Sequence, residues 1–583
     1  MKKEKGHIIR AAIVSSFFIL WLGVIGARAA YLQLYKGTWL SNKAAGQYER
    51  EMILPGKRGT IYDSRHQAMA VSIETTSIAA YPAAVEDHAR AAADLAPILN
   101  LKSKELMRLL ASERPFVWMK RQATPKQVDA VKKLGLKGVA FLPEHSRFYP
   151  NTTLAAQVLG FTGIDGQGLE GIEFQYESEL KGPETKVTVI RDALGRGFGA
   201  DQRSAMAGNN LILTIDGHIQ FIAEQALAEA VTGHKDSSGM ALVMEPRTGA
   251  LLAAAHYPFL NPNAFSKSDR SDWRNRSATD PFEPGSTMKI FSVAAALDSG
   301  ISTPASIFYC ENGKYRVGGH TVHDTKPYGW LSLQQIVKYS SNIGTMKLVE
   351  QIGPQLLYDH LQRFGFGTRT RIDCPGESTG MLAHYKRWTS VDTGAISFGQ
   401  GLSVTALQLI TAASALANDG VLMRPYVVKA VTDANGKTVQ TFAPETVRQA
   451  VSIQTAQTLR RIMRSVVTEG GTGVRAEVGG YPVAGKTGTA QKSDIGGGYA
   501  KNAFVASFLG FAPTEHPVIT VLVIVDEPKD INYGGIVAAP AFSRIVKETL
   551  GYLNVPPGEL EMKGYREIQA DGSEKVRLNK TVF

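Results

Sequence analysis

The sequence predicts an α+β protein with a single N-terminal transmembrane helix, an elongated α+β module and a larger domain with an antiparallel sheet under a helical layer. An uncharged apolar run from Ala11 to Ala27 predicts the membrane helix. Strand-like segments occur early in the larger domain and again late, with helical segments between them, so distant parts of the chain complete one sheet. Hydrophobic residues are 44% and charged residues 20% of the 583 residues, which excludes wholesale disorder and a polytopic transporter.

The N-terminus reads as a membrane anchor. Residues 1–10 form a basic tail and residues 11–32 the spanning helix, in which Arg28 can snorkel to the interface. The positive-inside rule keeps the tail in the cytoplasm and puts the rest of the chain outside, in the periplasm of a bacterium. A cleaved signal peptide is the competing interpretation, because Ala27, Arg28 and Ala29 follow the small-x-small pattern.

Charge and cysteine usage exclude several kinds of partner and cofactor. The net charge of +11 is spread along the chain, and the basic run with interleaved aromatic residues that a nucleic-acid groove needs does not appear. Cys310 and Cys374 lie far apart in sequence and belong to no metal-ligand pattern. We therefore expect no nucleic acid, no metal, no other cofactor and no disulfide scaffold.

The soluble part divides into two modules and a tail: a pedestal at 43–205, a larger domain at 206–556 and a polar tail at 557–583. In the pedestal, helical patterns are predicted at Ala89–Ser112 and Pro125–Lys133. The larger domain is predicted to contain the following elements: a strand at Leu211–Ile215, a helix at Gln220–Val231, a hairpin of Met240–Met244 with Ala250–Ala255, and strands at Ala503–Phe511 and Val518–Val525.

A serine and a lysine at helical spacing form the first candidate site. Pro284 and Gly285 break the chain before Ser286, and a buried helix is predicted from Thr287 onwards. Residues three apart share a helix face, so a partly desolvated Lys289 amine can activate the Ser286 hydroxyl. Alone this signal is weak, since a serine at this position can also be a simple N-cap and the same spacing recurs in a charged stretch at Ser178–Lys181.

Two further motifs change that assessment. Ser340 and Asn342 form an S-x-N triplet 54 residues after Ser286, and Lys486, Thr487 and Gly488 form a K-T-G triplet 200 residues after it. Taken alone, the S-x-N triplet is more simply interpreted as a polar turn between two helices. Taken alone, Lys486 is more simply interpreted as a lysine at a strand edge. Together, S-x-x-K, S-x-N and K-T-G in this order are the signature of penicillin-recognising serine acyltransferases.

The K-T-G segment also has the chemistry that such a site needs. Lys486 and the hydroxyls of Thr487 and Thr489 can bind a substrate carboxylate by charge-assisted hydrogen bonds. Gly488 lets a substrate backbone approach the strand edge closely. The backbone N–H groups of Ser286 and Thr489 can form an oxyanion hole, in which one donor is worth about 3–4 kcal/mol.

Beyond these motifs, the chain resembles class B penicillin-binding proteins over nearly its whole length. The resemblance includes the single anchor and four segments: Arg58–Asp63, Arg147–Pro150, Gly168–Glu173 and Ser397–Gly401. Length and the context of Ala484–Ala490 most resemble the division-specific members of Gram-negative bacteria. The larger domain is then expected to have the fold of penicillin-binding and β-lactamase-like transpeptidases.

The resemblance implies a peptidoglycan D,D-transpeptidase that cross-links stem peptides during cell division and is a target of β-lactams. Ser286 would attack the D-Ala-D-Ala carbonyl, with Lys289 as the base, and an amine of a neighbouring stem would resolve the acyl-enzyme. Ser340 and Asn342 would relay the proton and hold the substrate amide, while Lys486, Thr487 and Thr489 would bind the carboxylate. A membrane glycosyltransferase and other division proteins are the implied protein partners.

Other functions remain open at this point. An elongation-type class B transpeptidase has the same motifs, and so does a membrane-anchored serine β-lactamase, although a β-lactamase is commonly about half this length and lacks a pedestal. A β-lactam sensor would need more membrane helices. The chain could also be a scaffold that has the motifs and binds its ligand without catalysis. Only activity data distinguish such a scaffold from an enzyme.

Overall fold

The computed structural model describes residues 2–40, 43, 49–54, 56–183, 185–191, 197–198, 207–234, 238–493, 498–529, 531–558, 565–568 and 574–577. Most of the polar tail predicted at 557–583 therefore lies outside the described residues. The chain forms two compact units, one of residues 1–57 with 182–207 and one of residues 58–181 with 208–583.

The helices of the described part, in chain order, are α1 (Lys2–Ala30), α2 (His88–Leu99), α3 (Ser103–Leu110), α4 (Pro125–Lys133), α5 (Ala156–Leu159), α6 (Gly171–Gln175), α7 (Glu177–Leu180), α8 (Gly217–Thr232), α9 (Arg276–Thr279), α10 (Lys289–Asp298), α11 (Leu333–Tyr339), α12 (Asn342–Arg363), α13 (Ser390–Ser397), α14 (Ala406–Ala417), α15 (Ile453–Val467), α16 (Gly534–Val537) and α17 (Ala539–Tyr552). Helix α12 is interrupted at Gly353, which has a φ of +78° and precedes a proline.

The strands of the described part, in chain order, are β1 (Glu49–Leu54), β2 (Ile61–Tyr62), β3 (Ala68–Ala80), β4 (Val117–Ala123), β5 (Val139–Phe148), β6 (Thr185–Arg191), β7 (Gly197–Phe198), β8 (Asn210–Leu213), β9 (Ser238–Met244), β10 (Leu251–Tyr257), β11 (Ile307–Tyr309), β12 (Lys314–Val317), β13 (His320–His323), β14 (Trp330–Ser332), β15 (Val421–Met423), β16 (Val428–Thr432), β17 (Thr438–Thr441), β18 (Thr446–Gln449), β19 (Ala484–Ser493), β20 (Tyr499–Ala512), β21 (Ile519–Asp526), β22 (Tyr565–Ile568) and β23 (Glu574–Arg577).

The smaller unit contains the apolar N-terminal helix and a small sheet. Helix α1 continues into a π-helical turn at Tyr31–Tyr35, and the stretch His7–Tyr35 is, among the described residues, the one helix long and apolar enough to cross a membrane. Its 29 residues exceed the roughly 20 that a hydrocarbon core requires, and its side chains are unburied. This agrees with the predicted anchor. Strands β1, β6 and β7 form an antiparallel sheet.

The central sheet of the larger unit has the order β10-β9-β21-β20-β19 and is antiparallel throughout. Its strands come from residues 238–257 and 484–526, as the sequence predicts. The predicted hairpin is confirmed, since Met244 faces Leu251 and Met240 faces His256 across β9 and β10. Strand β19, which carries the K-T-G motif, lies at the end of this order.

Helices cover both faces of the central sheet. Along β21, Leu522 and Ile524 join the core under α14 and α15, whereas Val521 and Val523 join the core under α8 and α17. Successive side chains of a strand point to opposite faces, so a strand buried on both sides reads as a continuous apolar run. Burying each such side chain stabilises the fold by about 1.5–3 kcal/mol.

A second sheet contains β17, β16, β8, β2, β3 and β4 in that order, with β5 pairing β3. Strand β8 connects the pair β16 and β17 with the strands β2, β3 and β4. Its Leu211 pairs in parallel with Ile61 of β2 and antiparallel with Val431 of β16. The strand predicted at Leu211–Ile215 is observed as Asn210–Leu213, which starts one residue earlier and ends two residues earlier.

One predicted helical stretch of the pedestal is two helices. Residues 89–112 form α2 and α3, because Asn100 adopts a left-handed conformation with a φ of +54° and caps α2. Asparagine tolerates this conformation better than most residues. Because the helical periodicity of the apolar residues continues on both sides of Asn100, the sequence pattern did not indicate the break. The helix predicted at Pro125–Lys133 is confirmed with the same bounds, and Thr124 and Gln127 form its capping box.

Candidate active site

Ser286 lies on a tight turn that only glycine allows at the preceding position. Gly285 has a φ of +55°, and a Cβ there would lie 2.7 Å from the carbonyl oxygen of Thr489. The residues Gly285–Met288 form a 3₁₀ turn that leads into α10, so Ser286 precedes the α-helix rather than lying within it. Residues three apart eclipse each other in a 3₁₀ turn, which keeps Ser286 and Lys289 on one side. The Ser286 side chain is partly exposed.

Lys289 is fully buried beneath this turn. Its Nζ donates to the backbone oxygen of Ser340 and, at 3.1 Å, to Ser340 Oγ. Burial strips water from the ammonium group and lowers the pKa of Lys289 to about 7, although the carboxylate of Asp324 acts in the opposite direction. A large fraction of this amine is therefore neutral near neutral pH and available as a base.

Ser340 lies at the junction of α11 and α12 in a left-handed conformation, with a φ of +61°. Such a conformation is strained for a residue with a Cβ, and strained residues cluster at functional sites. Ser340 Oγ accepts hydrogen bonds from Nζ of Lys289 at 3.1 Å and from Nζ of Lys486 at 2.9 Å. A hydroxyl oxygen has two lone pairs, so its own proton remains available for a third partner.

Lys486 is the second buried lysine of the site. Its Nζ also donates to the backbone oxygen of Thr487 at 3.0 Å and to Thr487 Oγ1 at 3.3 Å. Burial, assisted by the nearby charge of Lys289, lowers the pKa of Lys486 well below its ordinary value. Ser340 thus brings all three predicted motifs together, because its hydroxyl contacts the lysines of the first and the third.

Gly488 and Thr489 hold β19 against the Ser286 turn. A Cβ on Gly488 would lie 2.8 Å from Cγ2 of Thr287, so a larger residue would push the strand away. Thr489 is partly exposed, and its Oγ1 accepts from the backbone N–H of Gly534 at 3.3 Å. Because the carbonyl oxygen of Thr489 closely approaches Gly285, the Thr489 backbone lies next to the Ser286 turn, as an oxyanion hole shared by these two residues requires.

Asp324 is a site residue that the sequence reasoning missed. Its Oδ2 accepts from Ser341 Oγ at 2.6 Å, and its Oδ1 accepts from the backbone N–H groups of Asn342 at 2.6 Å and Ile343 at 3.2 Å. A carboxylate at a helix N-terminus is favoured, and this one fixes the first turn of α12. Asp324 follows a β-hairpin 17 residues before Ser341, and no local pattern marks it.

Asn342 and Thr472 complete the surroundings of the motifs. Asn342 is partly exposed, and its Nδ2 donates to the backbone oxygen of His323 at 2.9 Å, which fixes the orientation of its amide. Thr472, which the sequence reasoning also missed, is exposed, and its hydroxyl lies 2.9 Å from that of Thr487. A threonine in a glycine-rich loop carries no signal that could have distinguished it.

The two cysteines of the chain do not form a disulfide. Cys310 and Cys374 are both buried free thiols, and burial raises the pKa of Cys310 to about 11. Cys310 Sγ lies 3.5 Å from Ser341 Oγ, so this thiol packs beneath the S-x-N segment. Within the part of the chain that the structure describes, no cluster of three or more His, Cys, Asp or Glu side chains could hold a metal.

Family models match both modules of the chain. The model described as "Penicillin binding protein transpeptidase domain" matches residues 239–547, more than half of the chain, and that described as "Penicillin-binding Protein dimerisation domain" matches residues 53–213. The chain belongs to the class B penicillin-binding proteins. The three motifs with their buried lysines lie inside the transpeptidase match.

Relatives of this class B penicillin-binding protein are similar over almost its full length. "Probable peptidoglycan D,D-transpeptidase PenA" of Neisseria meningitidis is 35% identical over 94% of this chain and 93% of that protein. "Peptidoglycan D,D-transpeptidase FtsI" of Escherichia coli is 32% identical over 94% of this chain and 93% of that protein. The structure of penicillin binding protein 3 from Mycobacterium tuberculosis in complex with aztreonam has a TM-score of 0.68 at 29% identity, covering 87% of this chain and 98% of that one.

Proposed function

We propose that this class B penicillin-binding protein is a peptidoglycan D,D-transpeptidase that cross-links stem peptides through an acyl-enzyme at Ser286. The observation that carries the proposal is the position of Ser340 Oγ between the buried amines of Lys289 and Lys486. The transpeptidase domain and the D,D-transpeptidase relatives support the same reaction type.

Acylation begins at Ser286. Its Oγ attacks the carbonyl of the penultimate D-Ala, and the hydroxyl proton passes to the neutral amine of Lys289. The C–N bond then breaks, and the leaving D-Ala amine takes the proton of Ser340, which Lys289 replaces. The lowered pKa of Lys289 suits this role, because a base and acid near pKa 7 can both accept and return a proton.

The substrate is held at both ends of the reacting bond. Lys486 and the hydroxyls of Thr487 and Thr489 bind the terminal carboxylate, and the backbone N–H groups of Ser286 and Thr489 stabilise the oxyanion. Asn342 holds the substrate amide, and Gly488 keeps β19 against the Ser286 turn, where the peptide can pair along the strand. An amine of a neighbouring stem then attacks the ester, which forms the cross-link and restores Ser286.

β-Lactams are the expected inhibitors, since a strained amide beside a carboxylate resembles D-Ala-D-Ala. The similar solved protein in complex with aztreonam supports this expectation. After penicillin treatment, intact-mass measurement should give one added drug per chain that persists for many catalytic turnovers and maps to the peptide of Ser286. Ser286→Ala should abolish the adduct, and Ser178→Ala, at the second serine-lysine pair of this spacing, is the matched control.

Other outcomes of that experiment would contradict the proposal. Rapid return to the unmodified mass with accumulating penicilloate would identify a β-lactamase. Labelling that survives Ser286→Ala would overturn the assignment of the nucleophile.

We further propose a division-specific role in the inner membrane, with residues 1–10 in the cytoplasm, the helix at 11–32 in the bilayer, and the pedestal at 43–205 and transpeptidase domain at 206–556 in the periplasm. The unburied apolar helix and the basic residues before it support this orientation. A membrane glycosyltransferase and other division proteins would be its partners. A fluorescent fusion should localise to the septum and co-purify a glycosyltransferase; lateral localisation would indicate elongation instead.

A further inference from the structure

A polar cleft of about 650 Å³ lies in the larger unit, apart from the motifs of the active site. It is lined by the end of α14, the middle of α15, the turn between β9 and β10, and the loop between β20 and β21. Its volume falls within the range of about 300–1,000 Å³ that small-ligand sites occupy. None of the residues of the three motifs lines it.

Three arginines line this cleft, and one of them, Arg460, is held by two hydrogen bonds. The Arg460 side chain is only 7% exposed, and it donates to the backbone oxygen of Ala417 at 3.0 Å and to Asp419 Oδ1 at 2.8 Å. These two bonds use two of the five N–H groups of the guanidinium. A guanidinium fixed in this way is preorganised to bind an oxyanion with its remaining donors.

The other two arginines are exposed, and few acidic side chains neutralise their charge. Arg461 makes one long hydrogen bond, 3.4 Å to Thr458 Oγ1, and Arg247 takes part in no ion pair within the described residues. Of the two acids in the lining, Asp419 is paired with Arg460, which leaves Glu515 against two arginines. The cleft is therefore net cationic.

We propose that this cleft binds a small anion that carries phosphate or carboxylate groups. Planar guanidinium groups bind the oxygens of both bidentately, and three of them around one cleft favour a ligand with more than one charged oxygen. Arg460 and Arg461 lie in the middle of helix α15, which packs against β19, so the ligand would contact the helix that supports the K-T-G strand.

The test uses the full-length protein in detergent micelles, with Ser286 first acylated by penicillin so that the carboxylate subsite is filled. Inorganic phosphate and succinate are titrated separately at constant ionic strength, and the unfolding temperature is recorded. One or both anions should raise it, and the effective anion identifies the ligand group. Arg247→Ala with Arg461→Ala should weaken the response at least tenfold.

The control removes two exposed arginines elsewhere, Arg108→Ala with Arg387→Ala, and should respond as the parent protein does. Penicillin acylation of both double variants should equal that of the parent, which verifies that they fold. No response of the parent to either anion, or an equal response of the Arg247 and Arg461 variant, would overturn the proposal.

Discussion

Replacing Ser340 removes the hydroxyl that links the two buried lysines. Ser340→Ala takes away one acceptor from Lys289 and one from Lys486, while Lys289 keeps the backbone oxygen of residue 340 and Lys486 keeps its two contacts to Thr487. A hydrogen bond to a charged group is worth about 1.5–3 kcal/mol, so loss of one such bond in the transition state slows acylation about 10- to 150-fold. Loss of the proton relay that we propose for Ser340 adds to this effect.

Backbone strain has to be separated from the loss of the hydroxyl, because Ser340 has a φ of +61°. Ser340→Gly removes the same oxygen but adopts this conformation without strain. We expect both variants to lose acylation to a similar extent, with Ser340→Gly unfolding at the higher temperature.

The assay is the second-order rate constant for acylation by a fluorescent penicillin, with thermal unfolding measured in parallel. If Ser340→Gly reacted as fast as the parent protein, the hydroxyl would have no role in acylation. If Ser340→Ala were slow and Ser340→Gly fast, the reasoning from hydrogen bonds would be wrong and the backbone conformation would be what matters.

Three further variants or conditions test the neighbouring groups. Acylation should accelerate as the pH rises through about 7, because the base that we propose is the neutral amine of Lys289, and a flat pH profile would contradict this. Asp324→Asn should move the half-maximal pH downward, since the Asp324 carboxylate raises the pKa of Lys289; an upward shift would refute the assigned direction. Thr472→Val should raise KM about fivefold with little change in kcat, because a lost hydrogen bond to Thr487 is worth about 1 kcal/mol, while Thr472→Ser should behave as the parent does.

Local patterns predicted much of the fold. The hairpin of β9 and β10, the helix at Pro125–Lys133 and the late strands β20 and β21 each have periodicity or turn residues within a short window. The break at Asn100 was missed because a single left-handed residue between two amphipathic segments leaves the pattern almost unchanged.

The motifs predicted which residues meet at the site but not how they contact each other. Their order and spacing indicated that Lys289, Ser340 and Lys486 belong to one site, yet the contact of Ser340 with both lysines depends on its left-handed backbone. Asp324 and Thr472 act through contacts to residues in other segments, and a polar residue in a loop looks the same whether or not such a contact exists.

The short strand β8 has a practical consequence for anyone who wishes to express the catalytic part alone. Its Leu211 pairs with Ile61 on one side and with Val431 on the other, and the backbone of Gly59 lies so close to Asn209 that a Cβ would fall 1.8 Å from its carbonyl oxygen. A truncated protein that starts near residue 208 would lose the first neighbour and expose the amide groups of a strand edge to other copies. Recombinant fragments should therefore retain Arg58–Tyr62, either in place or as a grafted strand, if they are to stay soluble and monodisperse.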